Sequence, residues 1–303
     1  MTSIAERWFG DWARRRRSRL EEYGLMVRAF RRDWLAVLSL LVILAFVLGA
    51  LFAPHLTPYP EEGRGEPNIV NKFLPPGAGH PLGTDNLGRD LLARVLFGGR
   101  SSLSIGFLVV IIAVAIGTPL GAIAGYFGGW VDETIMRITD MFLAFPPLLL
   151  AIAIAAALGP SFTNAMIAIA FTWWPWYTRL VRAQTVSLRE RSFIEAARGM
   201  GVGSRAIILR HIFPNVTTPV LVQATMDIGS AILTGAAMSF IGLGAQPPTP
   251  DWGQMVSQGR IYFMNQPWFA TYPGLAIFLV TLAFNLLGDT VRDVADPRTR
   301  RVA

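Results

Sequence analysis

The sequence contains no cysteine, a single lysine (Lys72) and only three histidines, His55, His80 and His211, far apart along the chain. Without cysteine there are no disulfide staples, thiolate metal sites or cysteine nucleophiles. Three scattered imidazoles do not make a histidine-built metal centre. Phe73 follows Lys72, whereas a phosphate-cradling GxxxxGK[ST] loop needs serine or threonine after its lysine. The chain therefore has no such loop of its own. Charge is scarce too: 16% of the 303 residues are charged and 52% are apolar, with a mean hydropathy of +0.44. Soluble domains run at about a quarter charged residues, so an ordinary soluble domain is excluded.

The apolar residues lie in long runs. Uncharged intervals of 27, 31, 38 and 28 positions separate Asp33 from Glu61, Arg100 from Asp132, Asp140 from Arg179 and Arg260 from Asp289. A bilayer crossing takes about 20 residues. Gly159-Pro160-Ser161 splits the longest interval into two spans, and a sixth run, Pro219 to Leu243, is interrupted only by Asp227. The expectation is an all-α membrane protein with six transmembrane helices, at about 35–53, 102–125, 138–158, 162–181, 217–243 and 272–289. With the N-terminus inside, 21 of the 27 basic residues fall on cytoplasmic segments, which predicts both termini cytoplasmic. Trp34 to Phe52 exceeds a signal-peptide apolar region of about 7–15 residues and reads as a retained anchor.

The organisation that follows is an arginine-rich cytoplasmic arm (1–33), a first span (34–53), an extracytoplasmic loop (54–100), a core (101–290) holding spans two to six, and a cytoplasmic tail (291–303). The arm reads as a topology determinant and lipid contact, not a nucleic-acid site. The loop is rich in proline, with a short amphipathic interfacial helix expected over Asn86 to Arg100. Asp85, Arg89 and Asp90 in that loop either pair with one another or meet a partner.

The inner loop 182–215 is too structured to be a mere connector. Ser192-Phe193-Ile194-Glu195 is a capping box, and Ala196, Ala197 and Arg198 continue the helix. Gly199, Gly201 and Gly203 break it; a second piece, Ser204 to Phe213, ends at Pro214. On local chemistry alone this is either a rigid element that a soluble partner pushes or a shield for the bundle end.

Glu195-Ala196-Ala197, three residues, Gly201, nine residues and His211-Ile212-Phe213-Pro214 resemble the EAA loop of binding-protein-dependent ABC importer permeases, in the variant of the peptide and nickel branch. Gly83-Thr84-Asp85-Asn86-Leu87-Gly88-Arg89-Asp90, Ser239-Phe240-Ile241-Gly242-Leu243-Gly244, Gln246 through Gly253 and Asp296-Pro297-Arg298 fit the same branch. The resemblance implies the type I ABC importer permease fold and a C-type subunit for di- or oligopeptides, with nickel or another small solute as the alternative. It implies a homologous B-type permease, two cytoplasmic ATPase domains that use ATP and Mg, and an extracytoplasmic solute-binding protein. The chain itself would bind no cofactor and catalyse nothing, and would sit in the bacterial inner membrane. It assigns Glu195, Ala196, Ala197, Arg198, Gly199, Gly201 and Pro214 to a coupling helix docked on the ATPase. Gly235 stands where family members commonly carry an acidic residue.

Charges inside a membrane are functional candidates. Asp140 is expected to pair with Arg137, one turn back, or else to meet solute. Asp227 either lines the translocation path or meets a polar group across the bundle or on the partner permease. Trp173-Trp174-Pro175-Trp176-Tyr177 reads as an interfacial belt or a proline hinge. Gly117, Gly121, Gly125, Gly128 and Gly129 read as packing residues. Other classes predict other features. An intramembrane aspartyl protease needs GxGD, but Leu286-Leu287-Gly288-Asp289 lacks the first glycine. A secondary transporter or channel without an ATPase would leave the inner loop unexplained.

Overall fold

The computed structural model describes residues 30–295. The arm up to residue 29 and the tail from residue 296, with Asp296-Pro297-Arg298, lie outside the described residues. Helix α1, Trp34–Leu51, is apolar on all sides, as a lipid-facing helix can be. Asp33 caps it, one carboxylate oxygen accepting the Leu35 N–H at 3.0 Å and the other the Thr290 hydroxyl at 2.9 Å. That second bond ties the start of the first span to the end of the last.

Two short helices with proline in the first turn, α2 (Ala53–Leu56) and α3 (Pro60–Arg64), lead to α4, Leu91–Phe127. At 1.5 Å per residue α4 is about 55 Å long, well beyond a hydrocarbon core of about 30 Å. The separate interfacial helix expected over Asn86 to Arg100 is not formed; its second half is the first turns of α4. Nothing breaks the helix there, because Gly98 and Gly99 are covered by Trp252. Arg100 reaches back to accept duty at the end of α1, donating to the carbonyls of Ala50 (2.7 Å) and Leu51 (3.0 Å) and so satisfying its last turn.

The loop before α4 is closed by its own charges. Asp85 accepts the N–H groups of Leu87 and Arg89 and the Arg89 Nε at 2.7 Å, with Arg94 at 3.6 Å. Asp90 caps α4 through the Ala93 N–H and meets His80 Nδ1 at 2.9 Å. Asp85, Arg89, Asp90 and Arg94 are all buried. Asp85 and Arg89 thus pair with each other, whereas the partner of Asp90 is His80, which the sequence reading did not name for it.

The third expected span, 138–158, is not one straight helix. Helices α5 (Gly129–Leu143) and α6 (Pro147–Leu158) meet at 86°. Pro146 and Pro147 remove two successive N–H donors and push the residue before each out of the helical region. Gly159-Pro160-Ser161 then separates α6 from α7, Phe162–Arg189, which Ser161 caps. Helix α7 runs unbroken through Pro175.

After the inner loop come α10 (Phe213–Phe240), α11 (Trp252–Gly259) and α12 (Trp268–Ala295). Among the described residues, four helices are long and apolar enough to cross a membrane, or five if the bent pair counts as one span. Helix α7 is long enough, but its aromatic cluster, Pro175 and three arginines dilute the apolar run. Two buried clusters hold the bundle. One joins α4, α7, α10 and the inner loop; the other joins α1, α4, α11 and α12 around Trp252 and Phe269.

The α4–α7 contact is the most extensive between two helices. A Cβ on Gly117 or Gly121 would lie 2.5 Å from the carbonyl oxygen of Trp174 or Thr178, and one on Gly125 2.8 Å from that of Arg182. Glycine at every fourth residue lets the two backbones touch.

Candidate functional site

Two features stand out: an elbow between α7 and α10, and a cleft beside it. The elbow begins with α8, Ser192–Gly199. The expected capping box is not formed. Arg191 is the N-cap, its carbonyl taking the N–H groups of Ile194 and Glu195, and no side chain caps the helix. Ser192 is thus one residue too far along to reach its third amide, and Glu195 is left exposed.

The C-terminal end explains the glycine spacing. Gly201 N–H donates to the Arg198 carbonyl at 2.9 Å and Val202 N–H to the Ala197 carbonyl at 3.1 Å. This pair of bonds is the Schellman closure, which needs a residue in the left-handed region, and Gly201 has φ +77°. Gly199 and Gly203 do not need it; Gly203 has φ −65°.

Burial divides α8 cleanly. Ile194 and Ala197 face the bundle, while Glu195, Ala196, Arg198, Gly199 and Gly201 are exposed, together with Phe193 and Met200. Met200 is 76% exposed. The outward face is therefore small residues and two charges flanked by two large apolar side chains. Arg198 lies 4.8 Å over the ring of Tyr126 at the end of α4, a contact between a cation and the negative face of the ring.

Beyond Gly203 the chain does not stop at Pro214 as expected. Helix α9 (Ser204–Ile207) passes through a π-helical stretch, Ile208–Ile212, directly into α10. Proline at 214 cannot donate to a carbonyl one turn back, and a wider π turn just before it absorbs the missing bond. His211 is 6.3 Å from the Phe193 ring, so the two arms of the elbow touch. Pro214 is exposed on the second arm, apart from the residues of α8.

The cleft, about 840 Å³, lies between α7, α10 and the α5–α6 bend. Its α10 wall is Gln223, Asp227, Ser230 and Thr234; its α7 wall includes Trp173, Trp176, Arg179 and Leu180, and Pro147 and Leu148 line the bend. Asp227 accepts the Tyr177 hydroxyl at 2.7 Å and the Gln223 amide at 2.9 Å. Asp227 thus meets a polar group across the bundle, the Tyr177 hydroxyl on α7, and also lies on the wall of the cleft. The aromatic cluster splits, with Trp174 and Tyr177 buried in the packing and Trp173 and Trp176 turned to the cleft.

Asp140 does not pair with Arg137. Arg179, on α7, donates to Asp140 at 2.6 Å, and Arg137 turns to Glu133 at 3.2 Å. Below it Arg182 grips Asp132 with two donors, Nη2 at 2.6 Å. Packing of α5 on α7 brings these arginines within reach, which spacing along one helix does not reveal. Gly235 is buried, and a Cβ there would lie 2.4 Å from Ile105; α10 and α4 approach so closely that an acidic side chain has no room.

Gln223, Ser230 and Thr234 escaped the sequence reading, and Tyr177 was read only as part of an aromatic belt or hinge. The signal was present: 223, 227, 230 and 234 are spaced for one helix face within an otherwise apolar span.

Comparison with known proteins gives the same picture. Residues 117–301 match the family described as binding-protein-dependent transport system inner membrane component, and residues 23–76 match the N-terminal TM domain of oligopeptide transport permease C. The chain is 47% identical to the dipeptide transport system permease protein of Alkalihalophilus pseudofirmus, over 90% of this chain and 89% of that protein. It is 44% identical to the glutathione transport system permease protein of Pectobacterium atrosepticum, over 90% of each. A probable D,D-dipeptide transport system permease protein of Escherichia coli is 45% identical, over 87% of this chain and 88% of that one. Among solved structures, an inward-facing form of the MetNI methionine ABC transporter is similar in fold, with a TM-score of 0.53 at 19% identity, covering 66% of this chain and 96% of that one.

Proposed function

Because the chain belongs to the binding-protein-dependent transport system inner membrane component family, we propose that it is a transmembrane permease subunit of an ATP-driven importer of di- or oligopeptides. Peptide is preferred to nickel because the named relatives carry dipeptides, glutathione or D,D-dipeptides. The chain works beside a homologous permease, receives solute from an extracytoplasmic binding protein, and is driven by two cytoplasmic ATPase domains. It hydrolyses no ATP itself. Both termini and the elbow face the cytoplasm.

The observation that carries this reading is the shape of α8. A short helix is fixed to the bundle by Ile194 and Ala197, closed by a glycine turn at Gly201, and left uncovered on its other face. Ala196 and Gly199 let a partner backbone come close; Phe193 and Met200 offer apolar anchors; Glu195 and Arg198 offer charges. Docked in a groove of the ATPase, α8 moves as a rigid piece with that domain. The continuous α9–α10 run transmits the movement to the cleft wall that holds Asp227, the candidate for the translocation path.

Ala196→Trp tests the docking. Position 196 is exposed and helical, so membrane insertion and thermal stability are expected to stay unchanged. ATP hydrolysis stimulated by the binding protein is expected to be lost in the reconstituted complex. Normal stimulation would remove α8 from the docking surface.

A further inference from the structure

The cleft has two unlike walls. On α10, Gln223, Asp227, Ser230 and Thr234 make a polar stripe over twelve positions, about 16 Å of helix. Polar side chains within a membrane span turn toward protein or water, not lipid, and this stripe turns to the cleft. Across from it, Trp173 and Trp176 present ring surface.

The charges in the cleft are not balanced. Arg179 is already matched by Asp140 at 2.6 Å. Asp227 has only the neutral partners Tyr177 and Gln223, and among the described residues no cationic side chain forms an ion pair with it. A carboxylate has about four acceptor positions, so two donors leave it room for another. Its placement is firm, because Tyr177 is buried against α4, where the Gly117 position leaves no space for a Cβ beside the Tyr177 Cβ.

We propose that the α10 stripe is the solute-contacting wall and that Asp227 receives the ammonium group at a peptide's amino terminus. The neutral side chains Gln223, Ser230 and Thr234 serve the peptide amides, and the aromatic wall accepts varied side chains. This rests on the peptide-import reading and adds which end of the peptide this subunit recognises.

The complete transporter in vesicles provides the test. Asp227→Asn is expected to cut solute imported per ATP hydrolysed by roughly tenfold, the scale of one charged hydrogen bond. Stimulated ATP hydrolysis itself should persist. Asp227→Glu should restore most import. Tyr177→Phe, which frees the carboxylate but keeps its charge, should lose only about two- to threefold. Unchanged import per ATP in the Asn variant would overturn the proposal; failed stimulation in the unmodified complex would instead overturn the importer reading. A second measurement needs no variant. The nucleotide-free complex, without binding protein, is titrated by calorimetry with alanylalanine amide, which carries only the ammonium, and with N-acetylalanylalanine, which carries only the carboxylate. Binding of the amide alone supports the proposal. Equal binding, preference for the acetylated probe, or binding of neither overturns it.

Discussion

Two sets of three glycines, one on α4 and one in the elbow, do opposite things. At Gly117, Gly121 and Gly125 every added Cβ would strike α7 backbone or side chain at 2.5 to 2.7 Å. At Gly199, Gly201 and Gly203 an added Cβ would meet nothing within 4 Å. The first set is glycine for want of space, the second for want of restraint or, at Gly201, for its backbone angle. One set welds two helices into a single body; the other leaves a face that the chain itself does not cover. On the proposed function both are needed, a stiff lever and an accessible handle.

The largest expected effect comes from breaking the weld. Gly121→Leu puts a branched side chain where Thr178 O and Val181 Cβ already stand. The two helices must separate, at a cost of about 3 kcal/mol or more, and the yield of folded, detergent-stable protein should collapse. Survival at the wild-type melting temperature would show that the α4–α7 contact is not close. Gly201→Ala probes the other set. It meets no atom, but it holds a side chain at φ +77°, which costs about 1 kcal/mol. The expected signature is local: faster amide exchange in α8 and several-fold weaker stimulated ATP hydrolysis, with the melting temperature nearly unchanged.

The sequence made some of this legible and hid the rest, for physical reasons. Uncharged runs mark apolar helices because the bilayer excludes charge, so α1, α4, α10 and α12 were visible. The 86° bend at Pro146-Pro147 was hidden inside an expected single span, since a proline pair can kink a helix but the angle depends on what each half packs against. The extension of α4 outward was hidden because the packing that supports it is distant in sequence: Trp252 lies against Gly98 and Gly99, where the expected interfacial helix and the second span meet. In the site, the glycine turn of the elbow was readable because it is local. The ion pairs of Arg179 and Arg182 with α5 were not, since they join residues 39 and 50 positions apart.

The packed end of α4 also separates shape from charge. Asp251 caps α11 through the Gln254 N–H at 3.1 Å and accepts the Ser102 hydroxyl of α4 at 3.2 Å. Burial pushes this carboxyl above its ordinary value, with those bonds pulling the other way. Its protonated form is thus favoured in the fold, and its contribution to stability is full in acid, below the free-chain value near 3.8. That contribution fades as pH rises through the raised folded value. Asp251→Asn keeps the shape without the charge. It should change stability near neutral pH by less than about 1 kcal/mol and flatten the melting profile against pH on the acid side. A large loss would mean that the charge, not the fit, secures α11.

The smallest effect is expected at Gly203, and it discriminates most finely. This residue starts α9 at φ −65° with open space around it, so alanine meets neither strain nor collision. Gly203→Ala should shift stability by no more than about 0.5 kcal/mol, in the favourable direction, because it restricts the unfolded chain. If the elbow is only a shield for the bundle end, ATP hydrolysis should be as indifferent as stability. If its function needs the joint between α8 and α9 to flex under a docked partner, the same substitution should lower stimulated hydrolysis while the melting temperature holds or rises. A stability gain with a coupling loss would mark Gly203 as glycine for motion, as distinct from Gly201, which is glycine for shape.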